Sequence, residues 1–270
     1  MDERELIKSC LDGNKKSLEL LIESIQDLIY NLSIRFLWNK MDAQDATQEI
    51  LIKILTNLSK YDGRSKFTTW VYRLATNYLI NLKKSTLEKT FTTFDVFASD
   101  LKSNIEPKSY ELPDKDLMER EMKTGCTLAM LQCLNRELRI AFILGSILKL
   151  KSKEAANIVN ISPENFRKRL QKSRSLIGTF LSNNCGVYNP NNSCRCSHKI
   201  NGAISSGRIV RNSPNFTKTV EVYNNEMEEL TSMEGIYRNH GTFRSGSKFL
   251  GELKGILDRK GIINDTSFLN

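Results

Sequence analysis

Glycine and proline are spread so unevenly that they divide the chain before any finer pattern is read. Nine of the 14 glycines lie after residue 185, whereas the first 180 residues are nearly free of both residue types. In a helix interior glycine costs about 1 kcal/mol relative to alanine and proline about 3, so avoidance of both permits long helices. The distribution therefore predicts a helical body followed by a looser tail. Inside the body, residues 85–111 break the helical pattern. Thr, Ser and Asp are frequent there and Pro107 and Pro113 stand near the end, which reads as a linker. The expected organisation is a helical domain over 1–84, a linker over 85–111, a second helical domain over 112–182 and a tail over 183–270.

A chain of 270 residues, 40% hydrophobic and 26% charged, is long enough for two or three small domains with cores of their own. No apolar run approaches the roughly 18 residues that span a bilayer, and the N-terminus, Met1-Asp-Glu-Arg-Glu, lacks a signal-peptide pattern. The expectation is a protein without membrane insertion that stays in the cytoplasm. The net charge of +9 suits a polyanionic partner. The six cysteines do not form a disulfide framework: Cys10, Cys126 and Cys133 occupy helix-like apolar settings and read as small core residues, while Cys185, Cys194 and Cys196 cluster.

The first domain carries the clearest periodicity. Val71, Leu74, Ala75, Tyr78, Leu79 and Leu82 make one stripe of a helix, and Ile50, Leu51, Ile54, Leu55 and Leu58 make another over Asp42–Leu58. Asp42, Asp45 and Glu49 come early in that second helix, where the dipole favours negative charge. Tyr61 to Ser65 reads as a turn. From Arg64 to Lys84 there are five basic residues, Arg64, Lys66, Arg73, Lys83 and Lys84, and no acidic one, with Phe67, Trp70, Tyr72 and Tyr78 interleaved. Cations neutralise phosphates and flat rings stack on exposed bases, which suits single-stranded or melted DNA. The same aromatic residues would equally serve a helical core.

The second domain reads as a helix-turn-helix. Lys153–Asn160 is a short helix whose Ala155 and Ala156 allow close approach, Ile161-Ser162 is the turn, and Pro163 is a favoured first helical residue. The next helix keeps Phe166, Leu170 and Ile177 for its core. Over residues 163–174 it carries Arg167, Lys168, Arg169, Lys172 and Arg174 against Glu164, a net +4, as a major-groove reader requires. A solvated face on a structural helix would look similar.

In their order along the chain, these pieces resemble an extracytoplasmic-function (ECF) bacterial RNA polymerase sigma factor. Asp42-Ala-Gln-Asp-Ala-Thr-Gln-Glu-Ile-Leu-Ile-Lys-Ile resembles that family's polymerase-binding helix. The stretch from Tyr61-Asp-Gly-Arg-Ser-Lys-Phe-Thr-Thr-Trp through Asn77 resembles the loop and helix that melt and read the downstream promoter element. Leu138-Arg-Ile-Ala-Phe-Ile-Leu-Gly, with Lys153-Glu-Ala-Ala and the run from Ile161 to Arg174, resembles its upstream-element reader. The likeness covers roughly residues 1–182. It implies an all-α protein of two small helical domains, sigma region 2 and a helix-turn-helix sigma region 4, joined by a linker and followed by a mixed or irregular extension.

By the same resemblance, Asp45, Gln48 and Glu49 would face core RNA polymerase. Arg64, Phe67, Trp70, Arg73, Asn77 and Lys84 would meet the downstream element, with Phe67 and Trp70 as the stacking rings. Asn165, Arg167, Lys168, Gln171 and Lys172 would meet the upstream element. The implied partners are core polymerase, promoter DNA and, in some members, an anti-sigma factor. Asn81 stands where the family often has Asp, and Lys83-Lys84 replaces a frequent Arg pair, keeping charge but losing the planar fork.

The tail resembles a cysteine-containing extension of a subset of the family. Cys185, Cys194, Cys196 and His198, spaced Cys-x8-Cys-x-Cys-x-His, could supply four ligands to zinc, act as a redox-sensing thiol cluster, or simply pack. No cofactor is required otherwise. A stand-alone helix-turn-helix regulator is the alternative, but it has no need of the acidic helix at 42–58 or the aromatic one at 67–82. A hydrolase is disfavoured: both histidines, His198 and His240, lie in the tail, and no Gly-rich phosphate loop or nucleophile constellation is present.

Overall fold

The computed structural model describes residues 3–82, 93–103, 105–106, 108–216, 243, 251, 253 and 255–257. Among these every regular element is helical. The chain divides into two compact units, one of Met1–Lys83, Ala156–Ser162 and Thr242–Asn270, the other of Lys84–Ala155 and Pro163–Gly241.

The first unit is built on α1 (Glu3–Leu11), α2 (Lys15–Leu37), α3 (Lys40–Thr56) and α4 (Phe67–Asn81). Asn14 opens α2 by accepting the Ser17 N–H, and Asn39 opens α3 by accepting that of Asp42, each satisfying a donor that a helix start leaves over. Between them only Trp38 and Asn39 turn the chain. Trp38 adopts φ 66° and returns its N–H to the Ile34 carbonyl; a bulky residue at positive φ is strained. The core follows the predicted stripes in part: Ile50, Leu51, Ile54, Leu55 and Leu58 are all buried, as are Val71, Ala75 and Leu79, whereas Leu74, Tyr78 and Leu82 are half-buried. A 3-10 turn at Leu58–Lys60 closes α3's run.

The C-terminal segment returns to this unit at a polar site on α2. The buried Asn31 amide accepts the Phe243 N–H (2.8 Å) and donates to the Phe243 carbonyl, completing a two-point backbone pairing. Arg35 donates to the Asn31 side chain (2.7 Å) and holds its guanidinium 4.8 Å from the Phe243 ring centroid. The expected tail helix over Met227–Arg238 lies outside the described residues. Of the one expected over Ser247–Leu257, Gly251, Leu253, Gly255, Ile256 and Leu257 are helical, and Leu253 and Leu257 are buried.

The second unit contains α5 (Phe94–Ser103), α6 (Lys115–Gln132), α7 (Arg136–Phe142), the start of α8 (Ser152–Ile158), α9 (Pro163–Asn184) and α10 (Ile200–Ser205). Helix α5 falls inside the stretch read as a linker. Its Phe97 and Leu101 are buried, and Phe94 and Phe97 meet Phe180 of α9 at ring-centroid distances of 5.3 and 5.4 Å. The polar composition of 85–111 hid three apolar residues at helical spacing.

Arg139, 1% exposed, organises the next junction. It donates to the carbonyls of Leu131 (3.0 Å), Gln132 (3.2 Å) and Leu134 (3.1 Å), so a buried cation occupies the C-terminal end of α6 where unpaired carbonyls gather. A π turn follows α7 at Ile143–Ile147. Gly145 lies in it so close to α9 that a Cβ would meet Leu170 Cδ2 at 2.6 Å.

The tail up to Phe216 shares the core of this unit. Ile200, Ala203 and Ile209 pack with Tyr110 and Met118, and the buried Glu121 accepts the N–H groups of Asn215 (2.6 Å) and Phe216 (3.0 Å).

Candidate nucleic-acid interface

In α3, Ala46, Thr47 and Ile50 point into the core and leave Asp45 and Glu49 exposed one turn apart, with Gln48 half-buried. The carboxylates border Tyr78 of α4, whose hydroxyl is pushed up by burial and then by Glu49 and Asp45. Lys53 Nζ lies 5.8 Å from the same ring centroid. The Asp42 carboxyl is raised by burial and by Asp45. Met41, 64% exposed, extends this face with an apolar surface. It falls outside the buried stripe, which is the only signal by which the sequence could have offered it.

The turn before α4 is fixed by Gly63 at φ 70°, a conformation that suits glycine. Tyr61 donates its hydroxyl to the Ser65 carbonyl (2.7 Å). Arg64 is exposed but paired with Asp62, and that pairing holds the Asp62 carboxyl below its ordinary value. Phe67 is not an available ring: it is 2% exposed, edge-on to Tyr61 at 5.2 Å and stacked on Trp70 at 5.6 Å. Its stacking role from the sequence is corrected to a core role, because the first residue of α4 turns inward beneath Tyr61. Trp70 is half-buried on the outer side of this aromatic group, and Asn77 is exposed. Arg73 donates to the Asn157 side-chain oxygen (2.8 Å) within the same unit. Lys84 lies outside the described residues.

Helix α8 ends earlier than its periodicity suggested. Asn160 takes φ 53°, its N–H reaches the Asn157 carbonyl (3.4 Å), and the Ile161 N–H reaches the Ala156 carbonyl (3.0 Å). This paired closure is a common helix stop, and asparagine tolerates the left-handed position at its centre. The turn thus begins at Val159 and ends before Pro163. On α9, Phe166, Leu170 and Ile177 are buried as expected, and Asn165, Arg167, Lys168, Gln171 and Lys172 are all exposed. Lys168 pairs with Glu164 one turn earlier (2.7 Å). Two further cations of this helix turn to the protein: Arg169 pairs with Glu137 (2.9 Å) and Arg174 donates to Ser146 (2.9 Å).

The four tail residues read as metal ligands do not stay together as a group. His198 Nδ1 bonds the Glu106 carbonyl (2.7 Å) and the ring borders Glu111. The Cys126 thiol of α6 is raised well above the usual range by burial and then by Cys196, Cys185 and Cys194. Among the described residues, no three His, Cys, Asp or Glu side chains stand ready as a ligand array.

Residues 21–86 match the Sigma-70 region 2 family; these residues include α2, α3, the Tyr61–Ser65 turn and α4. Over longer stretches the chain is similar to the RNA polymerase sigma-H factor of Pseudomonas aeruginosa, with 26% identity over 183 residues, 66% of this chain and 93% of the relative. It is similar to the ECF RNA polymerase sigma factor SigW of Bacillus subtilis, 25% identical over 177 residues, 64% of this chain and 94% of the relative. It is likewise similar to the ECF RNA polymerase sigma-E factor of Escherichia coli K12, 24% identical over 181 residues, 66% and 93%. The region 2 match and these likenesses over about two thirds of the chain support the class of RNA polymerase sigma factors. Within that class, the similar B. subtilis and E. coli proteins are named as ECF sigma factors. Among the described residues no helix is long and apolar enough to cross a membrane.

Proposed function

We propose that this sigma factor binds core RNA polymerase through the outer face of α3, with Asp45, Gln48 and Glu49 at its centre. Residues 61–84 then open and hold the downstream promoter element, and α9 reads the upstream one. The observation that supports this most directly is the Sigma-70 region 2 match over 21–86, which takes in the exposed carboxylates of α3 and the turn and helix carrying Trp70 and Asn77. Residues 1–84 form region 2 in this reading and residues 112–182 form region 4. A stand-alone regulator would leave the region 2 helices without a role.

In α9 the chemistry divides by residue. Arg167 offers a planar fork suited to a guanine edge, and Gln171 and Asn165 suit adenine. Lys168 and Lys172 suit phosphates. Trp70, half-buried, offers a ring face to an unstacked base while its other face rests on Phe67. An anti-sigma protein, where one exists, would compete for the same α3 face.

The test is reversal of charge at Asp45 and Glu49 together. Exposed rim charges govern association rate and specificity, so core binding and transcription from a cognate promoter should fall while far-UV circular dichroism is unchanged. Undiminished co-purification with core polymerase would defeat the assignment of this face.

A further inference from the structure

The last two turns of α2 are buried at every position from Tyr30 to Leu37. A helix that packs on one neighbour buries a stripe, so an unbroken run of this kind needs cover on its remaining side as well. Over Asn31 and Arg35, one turn apart, that cover is the tail segment at Phe243. All three are almost fully withdrawn from solvent, at 7%, 5% and 6% exposure. The Asn31 side-chain amide is used to its full capacity. Its oxygen accepts the Phe243 N–H (2.8 Å) and the Arg35 guanidinium (2.7 Å), and its nitrogen donates to the carbonyls of Asp27 (2.6 Å) and Phe243. Arg35 donates also to the Asn31 carbonyl (3.1 Å).

We infer that the Asn31–Arg35 face of α2 is a peptide-binding site and that the chain's own segment at Phe243 is its reversible ligand. A primary amide offers the donor and acceptor of a peptide group, so Asn31 receives Phe243 as a strand receives the hydrogen-bonded residue of its neighbour. That pairing reads backbone and is indifferent to the side chain. The preference for an aromatic comes from Arg35, whose guanidinium stands 4.8 Å from the Phe243 ring centroid. The polar residues beneath the segment make the docking reversible. A permanent core contact is built from apolar side chains, which are costly to uncover, whereas Asn31 and Arg35 take water when the segment leaves. The face lies within the residues 21–86 matched to Sigma-70 region 2, so the tail gives that region a covered and an uncovered state.

Two further observations favour the docked state in the free protein. Leu253 and Leu257, one turn apart on the helical stretch that follows, are fully buried within the same unit, so the ligand extends from Phe243 at least to Leu257 and adds apolar contact to the polar anchor. The tail is also fixed ahead of Phe243, on α6 of the second unit. There the buried Glu121 holds the N–H groups of Asn215 and Phe216, and the Phe216 ring lies so near Gly125 that a Cβ there would meet it at 3.3 Å. Release of Phe243 therefore leaves the segment joined to the body through residues 217–242. A ligand tethered in this way rebinds at an effective concentration on the order of millimolar, so a site of modest affinity stays filled until a competitor exceeds that.

The test uses the full chain with a specific protease site inserted within residues 217–242, and it needs no polymerase, so its outcome is independent of the role given to α3. After cleavage the C-terminal fragment should co-elute with the body in gel filtration, and an excess of a synthetic peptide of residues 239–260 should displace it. The same peptide carrying Phe243→Ala should need at least about ten times the concentration, having lost the ring that Arg35 and the pocket hold. Asn31→Ala in the body should let the fragment go on cleavage while far-UV circular dichroism of the uncut chain is unchanged. Should that variant fail to fold, displacement from the wild-type body and the comparison of the two peptides still decide. A wild-type fragment that leaves on cleavage, one that no excess of peptide displaces, equal competition by the two peptides, or a fragment held undiminished by a folded Asn31→Ala body would each overturn the inference.

Discussion

The stretch around α4, residues 64–84, and helix α9 both carry the cations that suggest DNA, but on different kinds of support. Below α4 the platform is aromatic: Tyr61, Phe67 and Trp70 lie within 5.2–5.6 Å of one another, and the ring that begins the helix is buried. Below α9 the platform is an apolar stripe of Phe166, Leu170 and Ile177, secured at one flank by Arg169 on Glu137 and at its neighbour helix by the buried Arg139 cap. On α4, therefore, rings are shared between core and surface; on α9 every exposed candidate is polar, and the stripe of Phe166, Leu170 and Ile177 is inside. A ring that supports the fold and a ring that receives a base look identical in sequence, whereas a lysine beside a buried phenylalanine declares its face.

The largest expected effect comes from breaking the aromatic platform. Phe67→Ala removes a fully buried ring and should cost about 3–5 kcal/mol of stability, whereas Trp70→Ala, at a half-buried position, should cost less. The functional order should be the reverse among folded molecules: Trp70→Ala should form closed complexes but show reduced permanganate reactivity at the melted element. Both tryptophans, Trp38 and Trp70, belong to the first unit, so in Phe67→Ala tryptophan fluorescence follows its unfolding directly. Equal stability losses for the two variants would show that Trp70 is a core ring as well, and the contrast between α4 and α9 would sharpen.

Next in size is Arg139→Leu, which tests the polar support of the second unit. Three carbonyls lose their donor inside a dry junction, and buried acceptors left unpaired cost about 1–3 kcal/mol each, less whatever water can repair. A total near 3 kcal/mol is expected, read as a lower urea midpoint by far-UV circular dichroism with the tryptophan transition unmoved. A shared shift in both signals would mean that the two units unfold together.

The helices of the body were legible because their apolar residues recur at helical spacing over several turns: Ile50 to Leu58, Val71 to Leu79, Phe166 to Ile177. Helix α5 was not, since only Phe94, Phe97 and Leu101 carry its stripe and they need Phe180, some eighty residues later, to complete their burial. Arg139 was equally invisible, as nothing local marks an arginine that serves carbonyls of a preceding helix. Among the candidate contacts, exposure of Asp45, Glu49, Asn165, Arg167 and Lys172 followed from period alone. The roles of Phe67, Arg73, Arg169 and His198 depend on partners distant in sequence or on the local turn, which periodicity does not encode.

The smallest expected effect divides two neighbours on α9, Arg167 and Lys168. Both are exposed and adjacent, but Lys168 is already paired with Glu164 one turn earlier at 2.7 Å, while the Arg167 guanidinium lies on the face that carries Gln171. An exposed pair of this kind contributes little to stability, so Lys168→Ala should leave the unfolding midpoint almost unchanged. On DNA, Lys168 must exchange Glu164 for a phosphate, and the substitution should lower affinity evenly across sequences and flatten the salt slope by about one or less. Arg167→Ala should instead relax preference at a single base position by about 1–3 kcal/mol, visible in a selection from randomised upstream elements. If the two variants give the same flattened slope and the same base preferences, Arg167 is a phosphate contact. The base-reading would then pass to Asn165 and Gln171, and α9 would read DNA through its amides while its cations serve the backbone.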